Sequence, residues 1–397
     1  MRSSDGETRD LVTTRPGAGW DFALTRHPFF EHERPFGPHY CVYNRRLMVV
    51  HFDERSVEDG YWIIRQKVGL QHTGEYVLQF EGPDAERLLN KLFTRDVSKL
   101  KIDRCGYGLA CYEDGGLLVD GILMRFSEDR FWYVQADGDF YSWARAHAIG
   151  MDVKITDPNV FVSQVQGPNS LKLLEAAATD GLPAGFTYYG IARVDLGGQA
   201  FVISRTGFTN ELGWEFYTEP HHDPDALWDH LRKHGEPLGL DWYPVDATDP
   251  RRIEAGILNA GSDFNQSTTP YDVGLGHFID EEKADFIGKA ALKIASRERR
   301  LHGITCLSGE MVVSGPVAIG GAKAGKITAA AMSPYLGHSI GYALLDQAGI
   351  TAGTKVEVGC SDGSIQPGEL VELPMYDKER KIPRGKLVDI PVRQGGS

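Results

Sequence analysis

Cysteine is scarce and unpatterned in this chain of 397 residues: Cys41, Cys105, Cys111, Cys306 and Cys360 are odd in number and scattered, with no C-x-x-C pair. A disulfide framework is excluded and no zinc spacing is present, so the thiols read as reduced core residues and no metal is implied. Long apolar runs are missing too. No stretch approaches the ~18 residues of a membrane span, and the opening Met1-Arg2-Ser3-Ser4-Asp5-Gly6-Glu7 lacks a signal-peptide core, which points to the cytoplasm and away from a membrane. Positive charge is in deficit, with 42 Lys+Arg against 55 Asp+Glu and a net charge of −13. Phosphate neutralisation needs a dense basic surface, so nucleic acid is excluded as a partner, although a local basic pocket remains allowed.

What remains is an ordinary globular composition, 42% hydrophobic and 24% charged, long enough for two or three domains with their own cores. Residues 1–19 are polar and aperiodic and read as a disordered tail, with order expected from the aromatic stretch 20–36. Apolar residues at helical spacing (Val57, Tyr61, Ile64, Val68) predict a helix over 54–70, and alternation predicts a strand over 74–80. Gly82-Pro83-Asp84-Ala85 then leads into an amphipathic segment, with Asp84 as its expected cap. The same strand, turn and helix recur at Val162-Ser163-Gln164-Val165-Gln166 and Gly167-Pro168-Asn169-Ser170. Two such units predict duplicated α+β halves over 20–295. Beyond the charged stretch 296–300 the chain turns Gly-rich and β-branched, predicting a C-terminal β-barrel or sandwich over 300–390.

Three segments carry potential chemistry. In Gly115-Gly116-Leu117-Leu118-Val119-Asp120-Gly121-Ile122-Leu123-Met124 the only ionisable group is Asp120, a costly placement unless it is satisfied by backbone amides near Gly121 or serves as a base. In Ser204-Arg205-Thr206-Gly207-Phe208-Thr209-Asn210-Glu211-Leu212-Gly213-Trp214-Glu215-Phe216-Tyr217, strand alternation puts Glu215 and Tyr217 on one face and Trp214 and Phe216 on the other. A carboxylate there either accepts two N–H bonds from an amidine-like edge, as in a pterin, or forms an exposed ion pair with Arg205. Thr248-Asp249-Pro250-Arg251-Arg252 reads as a helix start, with Arg252 and Glu254 as intrahelical or solvent-facing charges by default. His221-His222-Asp223 reads as a surface turn and Phe131-Trp132-Tyr133 as strand core.

Taken together these segments resemble the glycine-cleavage T-protein superfamily of tetrahydrofolate-dependent one-carbon transferases. The ordered matches run from Gly115-Gly116 and Asp120 through the Gly167 turn and the Arg205–Glu215 loop to Arg252-Ile253-Glu254-Ala255-Gly256. They continue through Asp285-Phe286-Ile287-Gly288-Lys289 to Ser333-Pro334-Tyr335-Leu336-Gly337-His338. Within it the chain is most similar to the folate-dependent demethylases, the dimethylsulfoniopropionate demethylase branch in particular, on Tyr40-Cys41-Val42-Tyr43-Asn44, Thr94-Arg95-Asp96-Val97-Ser98-Lys99 and Gln135-Ala136-Asp137-Gly138-Asp139.

The resemblance implies an α+β fold of three domains around a central folate channel, the last a β-barrel, with tetrahydrofolate as cofactor. It implies Asp120 as the catalytic carboxylate, and Tyr107, Phe208, Glu211, Glu215, Tyr217 and Arg252 as cofactor-binding residues, Arg252 near the anionic tail. Phe30, Tyr40, Tyr43 and His338 are expected to line the pocket of a small methylated substrate. Val119 stands where many T-proteins carry a second Asp, and the segment 28–44 also differs. Both favour a stand-alone demethylase moving an O-, S- or N-methyl group to N5 of tetrahydrofolate over an aminomethyltransferase served by a lipoyl carrier protein. The alternatives are methylene transfer giving 5,10-methylenetetrahydrofolate and a non-catalytic folate-binding protein.

Overall fold

A computed structural model describes residues 26–387 and 391–393; the tail expected over 1–19 lies outside the described residues. The two strand, turn and helix units are Tyr76–Glu81 with Ala85–Leu92, and Phe161–Gln166 with Ser170–Ala177. They close in the same way. The Gly82 N–H donates to the Asp129 carbonyl at 2.9 Å and the Gly167 N–H to the Leu212 carbonyl at 2.8 Å. Two residues further on, Asp84 donates its N–H to the Asp152 carbonyl at 3.1 Å, and Asn169 donates to the Lys67 carbonyl at 3.0 Å. Both glycines have positive φ, 136° and 126°. A Cβ at Gly82 would stand 2.6 Å from the Asp152 oxygen, and one at Gly167 would stand 2.5 Å from the Lys67 oxygen. Only glycine fits either corner.

Each unit belongs to its own sheet. The first runs Arg104–Cys111, Leu117–Arg125, Arg130–Gln135, Tyr76–Glu81, Lys154–Thr156 in spatial order; the second runs Ile191–Leu196, Gln199–Ser204, Gly213–Thr218, Phe161–Gln166, Val68–His72, Leu240–Trp242. The halves exchange strands. Val68–His72 precedes the first unit in the chain but pairs with Phe161–Gln166, while Lys154–Thr156 precedes the second unit but pairs with Tyr76–Glu81. Alternation then sorts the side chains into layers. Trp214 and Phe216 pack outward under one pair of helices, and Phe80, Phe131 and Tyr133 under the other. Val77, Met124, Trp132, Val162, Val202 and Tyr217 fill the layer between the sheets.

Three local expectations need correction. The helix expected over 54–70 is Val57–Gln66, capped by Ser56, and Val68 belongs to the strand Val68–His72 that follows the reversal at Lys67. Asp84 makes no side-chain cap; its carboxylate pairs with Arg87 at 2.9 Å and accepts the Asp152 N–H at 2.8 Å. The helix expected to begin at Thr248-Asp249-Pro250 is Val245–Ala255, with Pro250 inside it. Burial of nearly every residue after Ala247 holds that helix despite the missing proline N–H.

Six strands between Leu301 and Val371 close the C-terminal barrel. Beyond Val371 the chain leaves the barrel and reaches the helices Val245–Ala255 and Val57–Gln66. There the Tyr376 hydroxyl donates to Glu254 at 2.6 Å, and Gln66 donates to the Pro391 carbonyl at 2.8 Å. Among the described residues no helix is long and apolar enough to cross a membrane.

Candidate active site

Toward one end of the sheets the inter-sheet layer changes from apolar to polar, and a cavity of about 1700 Å³ opens against the barrel and the helix Val245–Ala255. The change can be followed on the second sheet. Val162, Val202 and Tyr217 give way, two residues along each strand, to Gln164, Ser204 and Glu215, which the register aligns in one row with Gln71. The row is buried, so its members satisfy one another: Gln164 donates to the Gln71 side-chain oxygen at 2.5 Å. Thr206 donates to Glu215, and the Thr206 and Ser204 hydroxyls lie 2.5 Å apart. Tyr217 stands behind, its hydroxyl 3.1 Å from Ser204.

The exposed ion pair considered for Glu215 does not form. The strand face is buried, and Arg205 turns to the opposite side, its guanidinium 5.3 Å from the Trp214 ring centre. Glu215 forms no ion pair among the described residues and is pushed up to about 7 by burial and by the charge of Glu75.

Asp120 sits on the inner face of the first sheet, cross-strand from Leu109. Tyr107, two residues earlier on that neighbouring strand, shares the face and is long enough to reach diagonally. Its hydroxyl donates to Asp120 at 2.5 Å. Burial raises the Asp120 carboxyl to about 6 against the pull of that hydrogen bond and of a backbone N–H. The alternative of an aspartate satisfied only by backbone therefore gives way to a tyrosine-held carboxylate facing a cavity.

Of the residues singled out from the sequence, Asp120, Tyr107, Phe208, Glu215, Arg252 and Tyr43 line this cavity. The others lie elsewhere. Glu211 is sealed behind it between Arg65 and Arg251, with the Arg251 Nε 2.6 Å from its carboxylate. Tyr217 touches the Glu215 network from the core side. Phe30 stacks on Tyr40, ring centres 5.2 Å apart, beside the hairpin Pro38–Tyr43 and Arg46–Phe52, and His338 donates from Nδ1 to the Leu336 carbonyl, 2.9 Å away, on the barrel. Arg252 lines the wall but is already neutralised, 2.5 Å from Asp249 and 2.8 Å from Asp263, which also takes the Thr328 hydroxyl of the barrel. It ties helix to barrel.

Sequence reasoning gave no site role to Glu75, Arg95, Arg299 and Arg380, all in the cavity wall. Among the described residues none of these three arginines forms an ion pair with a carboxylate, and Arg95 and Arg299 each keep a buried Nε without a partner. The available signal was weak: Glu75 shares strand parity with the inward Val77, and the arginines come from separate loops. Glu219, His221 and His222 are the one trio among the described residues whose ligand atoms converge, within 4.8 Å. His222 spends both ring nitrogens internally, on the Glu219 N–H at 2.9 Å and the Ala200 carbonyl at 3.3 Å.

Two interlocked α+β sheets, a closed barrel and a shared cavity holding buried carboxylates define a class that the comparisons identify. Residues 34–283 match the GCVT N-terminal domain and residues 299–377 the glycine cleavage T-protein C-terminal barrel domain. The chain belongs to the glycine-cleavage T-protein family, whose enzymes are tetrahydrofolate-dependent one-carbon transferases. It is 33% identical to an aminomethyltransferase of Rubrobacter xylanophilus, over 91% of this chain and 97% of that one. It is 32% identical to the trimethylamine-oxide aldolase of Ruegeria pomeroyi over 94% of its own length, but spans only 50% of that larger protein. The crystal structure of the glycine cleavage system aminomethyltransferase T from Bartonella henselae superposes with a TM-score of 0.80 at 23% identity, covering 90% of this chain and 99% of that one, and so shares the fold.

Proposed function

We infer that the protein is a cytoplasmic demethylase that moves a methyl group from a small O-, S- or N-methylated substrate to tetrahydrofolate. The observation that carries the reading is the pair Asp120 and Glu215: two buried carboxylates, neither ion-paired among the described residues, facing one cavity. The cavity's residues fit the folate. Glu215 is free to accept two N–H bonds from the 2-amino-4-oxo edge of a pterin, Phe208 offers a ring beside it, and Arg95, Arg299 and Arg380 offer uncompensated charge to an anionic tail. Those three replace Arg252 in the tail role, since Asp249 and Asp263 already occupy its guanidinium.

Tetrahydrofolate, when bound, supplies the nucleophilic nitrogen that accepts the one-carbon unit. Glu215 fixes the ring's rotation in the cavity. Asp120, held by Tyr107, takes up the proton released at nitrogen and stabilises positive charge there. The remaining contribution is positioning, because holding both partners in one cavity converts a bimolecular encounter into an oriented one.

A second reading, methylene transfer giving 5,10-methylenetetrahydrofolate, is favoured by the aminomethyltransferase relatives. Incubating the protein with tetrahydrofolate and a panel of methylated compounds separates the two. The expected product is 5-methyltetrahydrofolate, formed without a lipoyl carrier protein; exclusive formation of the methylene product, or a carrier requirement, would replace the first reading by the second.

A further inference from the structure

The hydroxyl that reaches Glu215 is the first of three. Ser204 is the direct cross-strand partner of Glu215, yet the carboxylate takes its hydrogen bond from Thr206, two residues further along. Thr206 stands 2.5 Å from the Ser204 hydroxyl, which stands 3.1 Å from that of Tyr217, and all three side chains are buried. A hydroxyl has one proton to donate. Because Thr206 spends its proton on Glu215, Ser204 gives its own to Thr206, and Tyr217 gives its own to Ser204. The three O–H dipoles therefore point one way, toward the carboxylate.

The near end of this chain is fixed from behind. Gln166, fully buried, pairs with Gly213, and a Cβ at Gly213 or at Gly207 would stand 2.3 Å from its amide group, so the loop folds closely around it. The Gln166 Nε2 donates to the Thr206 carbonyl at 3.2 Å, and its Oε1 accepts from the Thr209 hydroxyl at 2.7 Å. Thr206 is thus pinned with its hydroxyl at Glu215.

The surroundings offer the charge little else. The titratable groups that interact with Glu215 are Glu75 ahead of the strand Tyr76–Glu81, Cys105 on Arg104–Cys111, Tyr188 ahead of Ile191–Leu196, Tyr217 on its own strand and Tyr243 after Leu240–Trp242. Asp120 lines the same cavity from the first sheet. None of these is a cation. Burial and Glu75 oppose the negative charge, whereas the Thr206 and Tyr217 hydroxyls favour it. An ionised carboxylate takes charge-assisted hydrogen bonds, strengthened when the donors behind it are aligned; a neutral carboxyl forfeits both gains.

We propose that Ser204, Thr206 and Tyr217 are positioning residues that act through Glu215: their aligned hydroxyls hold its charge and so set the pH at which the site accepts the N–H edge of a pterin. The pterin half of this rests on the folate reading above; the hydroxyl half concerns the protein alone. The proton that Glu215 gives up leaves to solvent through the cavity.

The test has two arms. Infrared difference spectra between pH 5 and 9, without folate, follow the carboxyl band that Glu215→Gln removes, and calorimetry reads tetrahydrofolate affinity over the same range. In wild type the band should fade with a midpoint at about 7. Thr206→Val keeps the side-chain shape without the hydroxyl and should move the midpoint up by about one pH unit; Ser204→Ala and Tyr217→Phe should move it less, and Thr206→Ser should restore it. The affinity of Thr206→Val for tetrahydrofolate should fall about tenfold at pH 6.5 and return to within about twofold of wild type at pH 9. A merely structural Thr206 would lower affinity by one factor at every pH, and that result overturns the proposal. So do equal midpoints in wild type and Thr206→Val, or a Thr206→Ser midpoint that stays shifted. Shifted midpoints with no tetrahydrofolate binding by wild type overturn the folate reading alone; equal midpoints with folate bound overturn the hydroxyl assignment alone.

Discussion

Glu211 and Glu254 are buried as deeply as Asp120 and Glu215, at 5% and 0% exposure against 8% and 7%, yet the two pairs sit in opposite surroundings. Glu211 lies between Arg65 and Arg251. Glu254 faces Arg251 at 3.5 Å and takes hydroxyl hydrogen bonds from Tyr61 at 2.8 Å, Ser333 at 2.6 Å and Tyr376 at 2.6 Å. Those donors come from a helix, the barrel and the C-terminal segment, so this network fastens the domains together. Asp120 and Glu215 receive hydroxyl donors but, among the described residues, no cation, and they open on a cavity. On the proposed function, the compensated pair is scaffold and the uncompensated pair is kept for a ligand or a proton.

The sharpest way to break this comparison is to neutralise one residue on each side. Asp120→Asn should lower turnover roughly 10²- to 10⁴-fold in initial-rate assays of folate methylation, with no loss of melting temperature. A rate within about threefold of wild type would remove Asp120 from the chemistry. Glu254→Gln should behave in the reverse way: breaking a buried ion pair costs about 3–5 kcal/mol, visible as a lowered denaturation midpoint. Glu215→Gln should leave the midpoint unchanged or raised while weakening tetrahydrofolate binding by roughly 10- to 100-fold, the worth of charge-assisted hydrogen bonds.

The pH dependence sharpens the contrast. Asp120 titrates at about 6 and Glu215 at about 7 in the folded chain, both raised above the ~4 of an unfolded carboxylate. The folded state thus holds these protons more tightly, and the stability they contribute, complete below about pH 4, is lost as pH rises through 6 and 7. Melting curves from pH 5 to 8 should fall more steeply for wild type than for the Asp120→Asn, Glu215→Gln double variant. Parallel curves would show that the two carboxylates are not uncompensated. The smallest effect is expected at the tail. Arg299→Gln should weaken polyglutamylated folate a few-fold more than the monoglutamate, and Arg252→Gln should instead lower stability, because it breaks the buried pair with Asp263.

The parts of the molecule legible in the sequence were those governed by local rules. The two Gly-Pro turns were readable because only glycine tolerates the carbonyl approach at Gly82 and Gly167. Asp120 stood out as a single charge in an apolar strand, and alternation put Glu215 on the face that turned out to be inward. The rest depended on contacts distant in the chain. Glu211 shares a loop with Glu215, but whether it meets a ligand or an arginine was decided by Arg65 and Arg251 on other helices. Arg252 looked available until Asp263 and the barrel's Thr328 closed on it. The exchange of Val68–His72 and Lys154–Thr156 between sheets leaves no periodicity to read, and the proline inside Val245–Ala255 mimicked a helix start because burial overrides its local cost.

The most direct measurement of the central claim is the proton balance of tetrahydrofolate binding. Calorimetry at pH 6.5 in buffers of different ionisation enthalpy reads it, for wild type and Glu215→Gln. If Glu215 waits protonated for the pterin edge and ionises on meeting it, wild type releases protons on binding and Glu215→Gln does not. Binding without proton release, or equal release by both proteins, would contradict the account.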